Sequence, residues 1–197
     1  MKSVVFVAPF FAETTLRFVS AASLTEGART TLVTQEPAEK LPPALRSRLA
    51  GHVRVPDALD PRTVRAAVEQ VARGSGGRVD RLLGTLEELQ VPLGEVRDTL
   101  GIEGMGAEAG RNFRDKARMK EVLRAHGLPC ARHALAHTPA EAEAFVAEVG
   151  YPVIVKPQAG SGSRGTYRLA GPDDLAGCLR SMPPTPARPL VFEEFIV

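Results

Sequence analysis

Apolar positions in the first half of the chain fall into short unbroken runs that alternate with helix-spaced stripes. Val4 to Ala8 is such a run, the pattern of a strand covered on both faces. Thr14 to Glu26 places Leu16, Val19, Ser20, Ser23 and Leu24 on one side, which predicts a helix ended near Gly27. Thr30 to Thr34 is a second strand, Leu41 to Leu49 a weaker helix opened by Pro42 and Pro43, and His52 to Val55 a third strand. Asp60 followed by Pro61 is a helix start, an acid at the cap and a proline in the first turn. Val64, Ala67, Val68 and Val71 form the stripe of that helix, which stops by Gly74. A turn at Ser75 to Gly77 leads to a fourth strand, Val79 to Leu83, and a helix from Gly84 to Val96. This alternation implies a parallel sheet with helices on both faces and right-handed crossovers, a Rossmann-like fold. Ligands of such sheets sit beyond the carboxyl ends of the strands, here near Pro9, Phe10, Glu13, Gly84 and Glu87 or Glu88. No GxGxxG follows the first strand, which argues against a dinucleotide site there; this half reads as scaffold and substrate wall.

The pattern changes after Leu100. Gly101, Gly104, Gly106 and Gly110 mark a boundary, placed so that residues 1–105 form one domain and 106–197 another. Asn112 to His126 predicts a helix with Phe113, Ala117, Lys120 and Val122–Leu123 on its buried side, closed by Gly127. The alternation from Pro129 to Ala136 reads as a strand. Thr138-Pro139-Ala140-Glu141 is a capping-box pattern opening a helix that turns Ala142, Phe145, Val146 and Val149 inward and stops at Gly150. Tyr151-Pro152 then turns the chain into the strand Val153-Ile154-Val155, which ends at Lys156-Pro157.

Candidate chemistry gathers at that strand end. Gly160, Gly162 and Gly165 have GxGxxG spacing, but Thr166 to Leu169 alternates and a helix begins only after Gly171-Pro172-Asp173. A dinucleotide fingerprint needs a helix at once, and a P-loop needs Gly-Lys-Ser/Thr, so the glycines instead join two antiparallel strands. Such a loop suits phosphates: glycines let backbone N–H groups approach closely, Ser161 and Ser163 add hydroxyl donors, and Lys156 adds a positive charge.

Asp115-Lys116 at the head of a helix, Gly127-Leu128-Pro129, Tyr151 to Pro157, the Gly160–Gly165 loop and Val191-Phe192-Glu193-Glu194-Phe195-Ile196 occur in an order that resembles the ATP-grasp superfamily, carboxylate–amine ligase type. The resemblance implies an α/β chain: a Rossmann-like domain with a parallel sheet, followed by the first, incomplete α+β subdomain of an ATP-grasp fold. It implies that Lys116 and Lys156 reach the ATP phosphates, that Gly160, Ser161, Gly162, Ser163 and Gly165 fold over them, and that Glu193, Glu194, Phe195 and Ile196 form an adenine hinge. In that hinge the Glu193 carbonyl would accept from the adenine amino group and the Ile196 N–H would donate to a ring nitrogen. Val197 directly follows the hinge. The chain is therefore expected to be part of a longer enzyme and inactive alone, with Mg²⁺ ligands beyond Val197 and no catalytic or metal-ligating residue within it. The complete enzyme would use ATP, a small carboxylate and an amine, with a homodimer possible. The alternative is a non-catalytic nucleotide-binding or protein-interaction module derived from such an enzyme.

Composition narrows the classes further. Net charge is +2 over 197 residues, aromatic residues are 5% and Trp is absent, which speaks against nucleic-acid binding. Apolar runs are too short for a membrane span, and the N-terminal Val4 run suits a buried strand better than a signal peptide. Cys130 and Cys178 lack metal or redox spacing and read as free thiols in a reducing cytoplasm. His126, His133 and His137 lack metal spacing and read as surface or helix-end residues.

Overall fold

In the computed structural model, which describes residues 1–159 and 165–196, Val4 to Ala8 is buried almost completely. The reason is a covered sheet. β1 (Lys2–Val7), β2 (Ala28–Thr34), β3 (Gly51–Arg54) and β4 (Arg81–Gly84) form a parallel sheet in the order β3-β2-β1-β4. Successive side chains of β1 enter opposite layers. Val5 and Val7 pack with α3 (Pro61–Gly74) and α4 (Gln90–Leu100) through Val64, Val68, Leu93 and Val96. Phe6 and Ala8 pack on the other side with Val19 of α1 (Glu13–Ser23) and Leu45 of the short α2 (Pro43–Arg46). Asp60 caps α3 by accepting the Arg62 N–H. Leu24 was expected on the buried side of the first helix, but α1 ends at Ser23 and Leu24 is 63% exposed.

The chain divides into two compact units, residues 1–111 and 112–197, with α5 (Ala107–Arg114) crossing the division. The helix expected over Asn112 to His126 is broken. α6 (Lys116–Ala125) starts afresh because Asp115 adopts an extended backbone and its carboxylate accepts the Ala117 and Arg118 N–H groups. Phe113, expected inward, lies before this break and is 65% exposed. α6 closes with a Schellman pair: Gly127 at φ 71° donates to the Arg124 carbonyl and Leu128 to the Leu123 carbonyl.

In the second unit β5 (His133–Ala136), β6 (Val153–Pro157), β7 (Tyr167–Leu169) and β8 (Leu190–Glu194) make an antiparallel sheet ordered β5-β8-β6-β7. One face is a core: Ala136, Val153, Val155, Leu169 and Phe192 pack on Ala142, Phe145 and Val146 of α7 (Pro139–Val149) and Leu175 of α8 (Pro172–Ser181). The capping box of α7 forms, with Thr138 Oγ1 accepting the Glu141 N–H; the Glu141 carboxylate reaches back to the His137 N–H, one residue earlier than in the usual box. The two cysteines make no disulfide. Among the described residues, no helix is long and apolar enough to cross a membrane.

Candidate functional site

The alternation that sends Val153, Val155 and Phe192 into the core turns their neighbours to the opposite face. Glu193 pairs with His133 on one side and Ile154 on the other, and Lys156 lies two residues further along β6, opposite Val191. A polar face therefore stands on an apolar base. Lys156 Nζ is 2.6 Å from Glu193 Oε1, and Lys120 Nζ, from the middle of α6, is 3.4 Å from the same oxygen. Oε1 is buried and makes no aligned hydrogen bond, so both contacts are ion pairs held by charge rather than by direction. The Lys120 and Glu193 side chains are 9% and 10% exposed and that of Lys156 is 18% exposed. Removing the sole partner of a buried charge costs roughly 3–5 kcal/mol, because it leaves that charge bare; Glu193 has two partners.

Lys116 is brought to the same strand end by its backbone. Its N–H donates to the Gln158 carbonyl at 3.2 Å, and Gln158 Nε2 donates to the Asp115 carboxylate at 2.7 Å. The start of α6 is thus tied to the residue two places after Lys156. Asp115 and Gln158 already satisfy the first N–H groups of the helix, so an anion here would be met by side chains rather than by the bare helix end.

At the end of β8, Glu194 accepts the Arg132 N–H at 2.7 Å and Arg132 Nε at 2.6 Å. The backbone donor, and then the guanidinium, hold the Glu194 carboxyl below its ordinary range. The ladder with β6 extends one further step, as the Phe195 N–H donates to the Pro152 carbonyl at 3.3 Å, and the Arg168 guanidinium stands 4.9 Å from the Phe195 ring centre. Ile196 is 65% exposed. Gly165 has φ 71°, and a Cβ there would crowd the Pro157 ring. The strands flanking the glycine loop pair antiparallel, as its sequence context requires; Gly160, Ser161, Gly162 and Ser163 lie outside the described residues.

Three participants were not singled out from sequence. Lys120 was read only as part of a buried stripe. Arg132 carried no signal, because its partner is 62 residues away. His133 was read as a surface residue, yet its Nδ1 is buried without a partner opposite Glu193. Burial first, then the nearby Arg124 and Lys120 charges, push its pKa below the ordinary value of 6.5. Among the described residues, no group of three or more His, Cys, Asp or Glu side chains is placed to hold a metal. Two open clefts of about 660 and 570 Å³ lie at the starting ends of the parallel strands, around Arg29 and His52 and around Lys2 and Asp80. They contain none of the residues above, and strand starts are not where parallel sheets bind ligands. The charged face is therefore the better candidate.

A family model described as an ATP-grasp domain matches residues 106–161. A D-alanine–D-alanine ligase of Ectopseudomonas mendocina (strain ymp) is 34% identical over 105 residues, which cover 53% of this chain and 31% of that protein. The structure of an L-amino acid ligase from Bacillus licheniformis aligns with 100% of this chain and 44% of its own, at a TM-score of 0.72 and 18% identity. An ADP complex of N5-carboxyaminoimidazole ribonucleotide synthetase aligns with 99% of this chain and 47% of its own, at a TM-score of 0.74 and 15% identity. The chain spans about a third of that curated relative and less than half of those two structures.

Proposed function

We propose that the chain is part of an ATP-grasp enzyme of the carboxylate–amine ligase type, to which its ATP-grasp match and its ligase relative point, and that its second unit supplies the face on which such an enzyme holds the phosphates of ATP. The observation that carries this reading is the convergence at the end of β6. Lys156 ends a buried strand, the Lys116 backbone is anchored two residues beyond it, and a glycine–serine loop follows directly.

Lys156 and Lys116 would meet the phosphate oxygens as charge-assisted donors, and the loop from Gly160 to Gly165 would cover them. The adenine would lie along the strand end from Glu193 to Ile196. The Glu193 backbone is inside the ladder with β6, so the base has more freedom to use the groups beyond it, where the chain leaves the sheet. Fixed cations at these positions stabilise the charge that develops on a transferred phosphoryl group. Mg²⁺, when bound, would neutralise the phosphates further. In the complete enzyme the phosphoryl group would pass to a carboxylate, and an amine would displace phosphate. The relatives whose names describe the joining of amino acids support that reaction class.

Calorimetric titration of the full chain with ATP and ADP tests the proposal. Lys156→Met should weaken binding by about 1.5–3 kcal/mol, roughly ten- to a hundredfold, as expected for loss of a charged hydrogen bond. Affinity equal to that of the parent would refute the assignment of Lys156.

A further inference from the structure

We infer that Lys120 is a positioning residue: it holds the Glu193 carboxylate so that Lys156 can leave it for the nucleotide. The inference rests on the ATP reading above.

The argument starts from one oxygen with two cations. Lys156 at 2.6 Å and Lys120 at 3.4 Å both approach Glu193 Oε1. A lone Lys156–Glu193 pair would be closed: for Lys156 to reach a phosphate it would have to strip its partner from a buried carboxylate, the costly direction for any buried pair. Lys120 changes that balance. When Lys156 departs, Glu193 keeps a counter-ion, and the repulsion between two ammonium groups crowded on one oxygen is relieved. Among the described neighbours, His133, opposite Glu193 on β5, has its charged form disfavoured by burial and adjacent cations, Arg132 is committed to Glu194, and Arg124 donates to the Ala131 carbonyl.

The two lysines are not equivalent. Lys156 stands near the end of β6 and its side chain is the more exposed of the two. Lys120 sits within α6, is 7% exposed, and has less room to move. The departing group is therefore Lys156 and the retaining group Lys120.

The test is a set of ADP and ATP titrations on the full chain by calorimetry, with thermal unfolding recorded for each variant. Lys120→Met should lower affinity about tenfold, because Lys156 is then held by Glu193 in most molecules and the binding-competent fraction falls. Adding Glu193→Gln should restore affinity to within about threefold of the parent, since removing both buried charges together leaves neither bare and releases Lys156. A purely structural Lys120 predicts the opposite: a double variant as weak as Lys120→Met or weaker. Parent-like affinity for Lys120→Met, or failure of the second substitution to rescue, overturns the inference. A parent chain that binds neither nucleotide, or a Lys156→Met chain that binds as the parent does, overturns the ATP reading instead. Should Lys120→Met not fold, a crystal structure of the parent with ADP decides. Lys156 Nζ should then lie more than about 4 Å from Glu193, outside ion-pair range, with Lys120 still in contact; Lys156 remaining on Glu193, or Lys120 leaving it, would refute the inference.

Discussion

The parallel sheet of the first unit and the antiparallel sheet of the second use the same apolar residues to opposite effect. In the first, both faces of β1 are packed by helices, so each side chain from Val4 to Val7 is consumed by the core. Chemistry there is confined to strand ends and loops. In the second, helices α7 and α8 cover one face, and the alternation of β6 and β8 leaves Lys156 and Glu193 on the other. A strand apolar on both faces specifies a scaffold, whereas strands that carry charged residues among the apolar ones of one face can place charges at fixed spacing. The second unit is accordingly where a binding surface can be built into the sheet itself.

The largest expected effect tests whether these are two cores. Phe192 is wholly buried on the packed face of β8, next to Glu193. Phe192→Ala should destabilise the second unit by about 3–5 kcal/mol, the cost of emptying a large core site. Hydrogen exchange should show β5 to β8 losing protection while β1 to β4 keep theirs. Equal loss in both sheets would mean that the two behave as one cooperative unit and would break the comparison. A smaller effect belongs to the first unit. A Cβ on Gly94 of α4 would come within 2.5 Å of the Ala107 backbone nitrogen. Alanine normally favours a helix interior by about 1 kcal/mol over glycine, yet Gly94→Ala should destabilise by about 1–3 kcal/mol through overpacking against a backbone. Denaturant unfolding gives the sign directly, and a stabilised variant would show that the approach of α5 can relax.

These sites also show how far the sequence could be read. The strands of the first unit were legible because an unbroken valine run has few other uses. The place of Lys156 near a strand end was legible because it follows Val153-Ile154-Val155 directly and precedes a proline. The stripe from Phe113 to Leu123 does not show the helix break at Asp115, since a hydrophobic period does not register a single residue leaving the helix to cap the next turn, whereas the motif that puts Asp115-Lys116 at the head of a helix does. Lys120 was legible as an inward position but not as a participant: its partner Glu193 is distant in the chain, and it is the pairing of β8 with β5, on which α6 packs, that brings the two together. His133 failed for the same reason, as its burial depends on β5 lying beside β8.

The mildest prediction concerns that histidine and sharpens the contrast between a packed face and a charged one. Burial and the Arg124 and Lys120 cations make His133 bind its proton less readily in the folded chain than at the ordinary value of 6.5. As pH falls below about 6.5, the unfolded chain takes up a proton that the folded chain resists, so stability falls; above that value both states are neutral and His133 contributes no pH dependence. Unfolding midpoints measured from neutral to mildly acidic pH should therefore decline in the parent. His133→Gln should flatten that decline while leaving Glu194, whose depressed pKa acts only at more acidic pH, to govern the next loss. An unchanged slope in His133→Gln would show that protonated His133 is tolerated beside Glu193. The polar face would then hold its charges less tightly than the buried Lys120–Glu193–Lys156 cluster implies.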